Sequence, residues 1–187
     1  LIQSSIDNGD YIAANEKFET AITEYDGNAG LYFIGGTVAV KLDKLDDANK
    51  HFIKAIELDN KNKDYRLEQV KLSELKNGMT NARKIYDSGR IDDAIIDYEK
   101  LTTTFSNNAI VFYNLGRVYK VNEEYDLAIK NYKKAKEINP FENKYSLAIT
   151  AIAQEMAKAG DTEYRRQEFD SAIENYKNAI QYSPDYT

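Results

Sequence analysis

An alanine recurs along the chain as Ala14, Ala48, Ala94, Ala128 and Ala172, each followed four residues later by an aromatic: Phe18, Phe52, Tyr98, Tyr132 and Tyr176. Three residues before each alanine stands a large side chain (Tyr11, Leu45, Ile91, Tyr125, Phe169). Seven residues after it comes another small or apolar one (Ala21, Ala55, Leu101, Ala135, Ala179). Offsets of three, four and seven fall on one face of a helix. A small residue beside a large one lets two helices approach closely while the ring fills the gap. The chain has only two prolines and nine glycines, which leaves long stretches open to helix. An all-α fold built from repeats of one packing unit is the expectation.

The first two alanines lie 34 residues apart, and so do the third and fourth. The stretch from Ala109 to Pro140 shows the whole pattern: Phe112, Leu115-Gly116 and Tyr119 on one helical face, then Tyr125, Ala128, Tyr132 and Ala135 on another, closed by Pro140. This order resembles the tetratricopeptide repeat, a helix–turn–helix unit of about 34 residues. The resemblance covers nearly the whole chain as about five repeats. It implies a right-handed α-solenoid of antiparallel helix pairs, a single array over residues 1–187. The units expected are 1–28 (truncated), 29–62, 75–108, 109–142 and 153–186.

Two intervals depart from the period. The second and third alanines are 46 residues apart and the fourth and fifth 44. The extra residues, 63–74 and 143–152, are helix-friendly and are expected to lengthen the first helices of the third and fifth units. Asn77-Gly78 leaves open a separate short helix instead. Leu67, Val70 and Leu75, or Leu147, Ile149 and Ile152, are expected to line an apolar side. Pairs of units then repeat every 80 residues, as Ala14 to Ala94 and Ala48 to Ala128 show. Gly35 stands where the family usually has leucine, which predicts a thinner, weaker helix there. Asp46, Asp92, Asp126 and Asp170 each precede an anchor alanine by two residues, where a carboxylate can cap a helix start and complement its dipole. Helices are expected to close before Asp26-Gly27, Asn60, Ser106-Asn107, Pro140 and Pro184.

The formal charge of −6 argues against nucleic acid as partner, because phosphate neutralisation needs a basic surface. Cysteine is absent and His51 is the sole histidine, so no structural or catalytic zinc site is expected. The acidic pairs Asp46-Asp47, Asp92-Asp93 and Glu123-Glu124 fall in turns and first helical turns, where solvation and helix starts account for them; catalysis would need convergence in a pocket. The glycines from Gly27 to Gly36 do not match a phosphate loop and coincide with repeat turn and packing positions. Neither an enzyme nor a cofactor is expected. No apolar run approaches the ~20 residues of a membrane span. The chain starts at Leu1 without an initiator methionine, which suggests a truncated or processed product, cytoplasmic or periplasmic, of bacterial origin.

In the family, the first helices of successive units line a concave groove that takes extended or helical peptides. The inward stripe lies about one residue, ~100°, around from the buried one. Applied to this chain, that implies Phe33 and Thr37 in the second unit, Lys76, Met79, Arg83 and Tyr86 in the third, Tyr113, Arg117 and Lys120 in the fourth, and Tyr164 with Arg165 in the fifth. Such a groove suits an acidic peptide with apolar anchors. The class of repeats that clamps a C-terminal carboxylate is a poor match, because Ile34 and Thr37 stand where donors are needed and only Asn114 fits. The leading expectation is therefore a non-enzymatic scaffold or adaptor for protein partners. The alternative is an assembly module that self-associates through uncapped repeat ends.

Overall fold

The structure, a computed structural model, describes residues 2–183. Ten helices run in order over these residues: α1 (Ile2–Asp7), α2 (Tyr11–Glu24), α3 (Ala29–Lys41), α4 (Leu45–Leu58), α5 (Lys63–Asp87), α6 (Ile91–Thr104), α7 (Ala109–Val121), α8 (Tyr125–Ile138), α9 (Asn143–Arg165) and α10 (Phe169–Tyr182). Each packs chiefly on its sequence neighbours. The result is an all-α solenoid of five antiparallel pairs, in which every even-numbered helix has 14 residues.

The turn inside each pair is built the same way. One residue takes positive φ: Gly9 (72°), Asp43 (62°), Gly89 (82°), Glu123 (62°) and Gln167 (66°). The next residue's N–H then reaches back five positions, as in Lys44 to Ala39 (2.9 Å) and Glu124 to Tyr119 (3.0 Å). This is the left-handed helix ending that satisfies otherwise orphaned carbonyls. Glycine adopts it without strain; Asp43, Glu123 and Gln167 do so against a steric cost.

The anchor alanines are buried throughout. At Gly36 and Gly116 the next helix lies so close that a Cβ would stand 2.5 Å from Phe52 and 2.7 Å from Tyr132. Gly35 makes α3 thin where the preceding pair packs on it. A Cβ there would come within 2.3 Å of Phe18, so the missing side chain is the seat for the preceding unit's aromatic. His51 closes over the same ring, edge to face at 4.8 Å.

Helices α5 and α9 run unbroken, through Asn77-Gly78 in the first case. Their first halves cover the preceding pair: Tyr65 packs on Phe33 (4.9 Å) and Tyr145 on Tyr113 (5.6 Å). Both contacts recur at the 80-residue interval. The buried side of these extensions is Leu72 and Leu75, and Tyr145, Ile149 and Ile152. Leu67, Val70 and Leu147, expected with them, face outward at 52%, 49% and 67% exposure.

The aspartates before the anchors also differ from expectation. Lys44, Arg90, Glu124 and Glu168 occupy the N-cap positions and make no side-chain cap bond, while Asp46, Asp92, Asp126 and Asp170 sit inside the first turn. There they complement the dipole without capping. Asp10, at the start of α2, does cap, accepting from the Ala13 N–H. Helices α2, α4, α6 and α8 end where the turn residues predict; Pro184 lies outside the described residues. No helix among the described residues is long and apolar enough to cross a membrane.

One set of bonds is not between neighbours. The α3–α4 turn reaches the far side of the array. Asp43 Oδ2 accepts from Lys144 Nζ and from the Tyr145 hydroxyl (3.1 Å), both at the start of α9. The Lys41 carbonyl accepts from Asn139 (3.0 Å), and Lys41 Nζ donates to the Asn107 carbonyl (2.8 Å). The second helix pair is thereby tied to the turns on either side of the fourth.

Candidate functional site

The first helices of the third and fourth pairs, α5 and α7, flank an inner cleft of about 450 Å³. From α5 come Lys76, Met79, Thr80, Arg83 and Tyr86 at offsets of three and four, one helical face, and from α7 come Asn114, Arg117 and Val118. Tyr98 of α6 forms part of the lining between them. Asp43, Leu45 and Asp46 of the α3–α4 turn close the remaining side.

The charges of this cleft are unequally satisfied. Lys76 pairs with Asp46 across the cleft at 2.5 Å, and Arg83 is 3.6 Å from Asp87 one turn along its own helix. Exposed pairs of this kind are worth little and exchange readily. Arg117 is exposed and has no ion pair among the described residues. Burial pushes the Tyr98 hydroxyl above its ordinary pKa, while Arg117 and Arg83 pull it back. Two guanidinium forks, a phenol and the Asn114 amide beside Met79 and Val118 offer hydrogen-bond donors to a carboxylate and an apolar wall to the group that carries it.

A second cleft of about 290 Å³ opens farther toward the N-terminal ends of the same two helices. Its floor is Val40, Phe52, Leu72, Leu75 and Phe105, and its rim includes Lys41, Lys71 and Asn108. Lys41 is held below its ordinary pKa by burial.

Of the residues that repeat geometry assigns to the groove, Lys76, Met79, Arg83, Tyr86 and Arg117 meet in the first cleft. Thr37 lines the second, its hydroxyl bonded to the Phe33 carbonyl at 3.0 Å. Phe33 and Tyr113 are spent on packing against Tyr65 and Tyr145, and Lys144 lies over the Tyr113 ring. Lys120 bonds Glu155 of α9 at 2.5 Å. Tyr164 stands apart at the end of α9, edge to face on Phe169 at 5.7 Å, with exposed Arg165 beside it. Asp43, Leu45 and Asp46 of the α3–α4 turn line the first cleft without having been placed in it by sequence reasoning. Their only signal is that Asp43 and Glu123 occupy equivalent turn positions 80 residues apart. Among the described residues no three His, Cys, Asp or Glu side chains cluster to hold a metal.

Comparison with known proteins places a family profile, Tetratricopeptide repeat, on residues 109–141. No curated protein matches the chain by sequence. Among solved structures, the P58(IPK) TPR domain aligns with 98% of this chain and 72% of its own, at 14% identity and a TM-score of 0.47. MamA from Desulfovibrio magneticus RS-1 aligns over 99% of this chain and 92% of its own, at 15% identity and TM-score 0.37. YrrB, described as a TPR protein with an unusual peptide-binding site, aligns over 99% of this chain and 84% of its own, at 16% identity and TM-score 0.36.

Proposed function

We propose that this chain, which carries a tetratricopeptide repeat at residues 109–141, is a non-enzymatic scaffold that binds an extended acidic segment of a partner protein in the α5–α7 cleft. The repeat is a protein-interaction fold, and the finer assignment rests on one observation. Arg83, Arg117 and Tyr98 line the same cleft as the apolar Met79 and Val118. A partner carboxylate takes the place of Asp87 on Arg83 and meets Arg117, which has no carboxylate to give up. An apolar side chain next to it in the partner rests on Met79 and Val118.

The test is affinity capture from a lysate of the source organism with the intact chain and with Arg83→Glu/Arg117→Glu, followed by equilibrium binding of the captured protein's acidic segment. The reversal is expected to weaken binding at least about tenfold by replacing attraction with like-charge repulsion. Equal binding by both forms removes the site from this cleft.

One observation favours a second reading, self-assembly. Phe169, Ile173 and Ile180 form an exposed apolar strip on α10 at 52%, 49% and 61% exposure, with Tyr164 beside Phe169. Sedimentation over a hundredfold concentration range separates the readings: a rising mass supports assembly, a constant one the scaffold.

A further inference from the structure

The second cleft is set apart by what the fold leaves unused around it. Its floor is apolar, and Phe52, Leu72 and Leu75 within that floor are at most 3% exposed, so its shape is fixed by the core. Lys41 makes no ion pair among the described residues; its Nζ donates to the Asn107 carbonyl and has further N–H groups to give. Asn108 is the N-cap residue of α7. Its counterparts Asn28, Asn62 and Glu142 each accept a bond from their own helix, and Asn108 does not. It is 7% exposed and its Oδ1 finds no donor among the described residues, an unfavourable state for a buried acceptor. The corresponding place 80 residues on is closed by the chain itself. Lys120 stands there at the position of Val40 and Glu155 at that of Leu75, and the two bond at 2.5 Å. Between α3 and α5 the same two positions are apolar and line an opening.

We infer that the second cleft holds a large apolar side chain of the partner segment, about four residues from the carboxylate that meets Arg83 and Arg117. This rests on the proposed function and adds to it a second point of contact and a spacing. The spacing comes from α5, which lines both clefts. Leu75 in the second and Arg83 in the first are eight residues, hence about 12 Å, apart along the helix, a distance that an extended chain covers in about four residues at ~3.3 Å each. The anchor's side chain rests on Phe52, Leu72, Leu75 and Phe105. Its main chain presents one carbonyl and one N–H, and the cleft offers one partner for each: Lys41 donates to the first, and the Asn108 Oδ1 accepts from the second.

The chain has no tryptophan, so a tryptophan in a peptide reports its own burial. The probe is a blocked glycine–serine peptide with one tryptophan and, four residues along, two aspartates, made in both chain orders. Two controls replace the tryptophan by glycine or set it two residues from the aspartates, too near to span about 12 Å. In one order the probe is expected to bind the full chain about tenfold more tightly than either control, with its emission moved to shorter wavelength. Val40→Lys, which copies Lys120 into the floor, is expected to abolish the gain while circular dichroism shows the helices intact. Should that variant not fold, Phe105→Ala, at a half-buried helix end, is expected to reduce the gain at least about threefold. No gain from the tryptophan in either order overturns the inference, as does a gain that survives these substitutions in a folded chain. Failure of the proposed function is separately visible: the peptide without tryptophan then binds the intact chain and Arg83→Glu/Arg117→Glu equally.

Discussion

Asp43 and Tyr145, 102 residues apart in sequence, share a hydrogen bond of 3.1 Å that ties the second helix pair to the start of α9. The bond and its companion to Lys144 link the second helix pair directly to the fifth, across the turns that flank the fourth. The cost of the arrangement falls on Asp43. Desolvation raises its pKa above the ordinary carboxylate value, outweighing the opposing pull of Lys144 and Tyr145, and Glu142 adds to the rise.

That direction fixes how stability responds to pH. A carboxyl whose folded pKa is raised binds its proton more tightly when folded, so its contribution is fully present below the unfolded value, about 4, and is lost as pH rises through the folded value. The stability of the intact chain relative to Asp43→Asn is therefore expected to fall between acid and neutral pH. Urea denaturation of both at several pH values checks this. A relative gain with rising pH would mean that the Lys144 ion pair outweighs desolvation.

His51 provides an internal probe of the Phe18 seat. Burial is the main cause holding its pKa below the ordinary 6.5, against the pull of Glu19 and Asp47. It is the sole histidine, so a proton NMR titration yields a single imidazole curve. Its midpoint is expected below 6.5, and Gly35→Ala, which displaces Phe18, is expected to move it toward 6.5. A depressed folded pKa means that the associated stability is present above the unfolded value and fades as pH falls through the folded one.

Gly116→Ala tests the close approach of α7 and α8. The added methyl would meet the Tyr132 ring at 2.7 Å and the Ala128 carbonyl at 3.0 Å. Overpacking of this kind costs about 1–3 kcal/mol, more than the helix-propensity gain of up to ~1 kcal/mol for replacing glycine. Chemical denaturation should show a net loss; a gain would mean that the helices separate easily.

Ala128→Arg should be far worse, because it places a charge at a fully buried position against the same helix. A loss above about 3 kcal/mol, or failure of the fourth pair to fold, is expected from combined overpacking and an unpaired buried charge. Circular dichroism melting decides it, and an unchanged curve contradicts the packing described.

The sequence was most legible where structure is local. The Ala-x-x-x-aromatic spacing marks the second helix of each pair because both residues face one neighbour a fixed distance away. Rotating that stripe by one residue picks out Arg83 and Arg117, which line the α5–α7 cleft because nothing further covers them on α5 and α7. The same rotation placed Phe33 and Tyr113 in the groove, but the first halves of α5 and α9 cover both, and nothing in the rotation accounts for a helix longer than the period. The role of Gly35 as the seat of Phe18 was not legible, because that partner comes from the preceding unit. The Asp43–Lys144 link was illegible for a different reason: it depends on angles accumulated over several pairs, and no short pattern records them.

The most direct test of the α5–α7 cleft as an acidic-segment site uses the chain's methionines. The chain has two: Met79 lines the α5–α7 cleft, while Met156 of α9 packs against the core. With 13C-labelled methionine methyls, titration of the intact chain with an acidic peptide that carries an apolar residue beside its carboxylates is expected to shift the Met79 signal saturably, leave Met156 in place, and lose its effect in Arg83→Glu/Arg117→Glu. A Met79 signal that stays fixed at saturating peptide would contradict binding in this cleft.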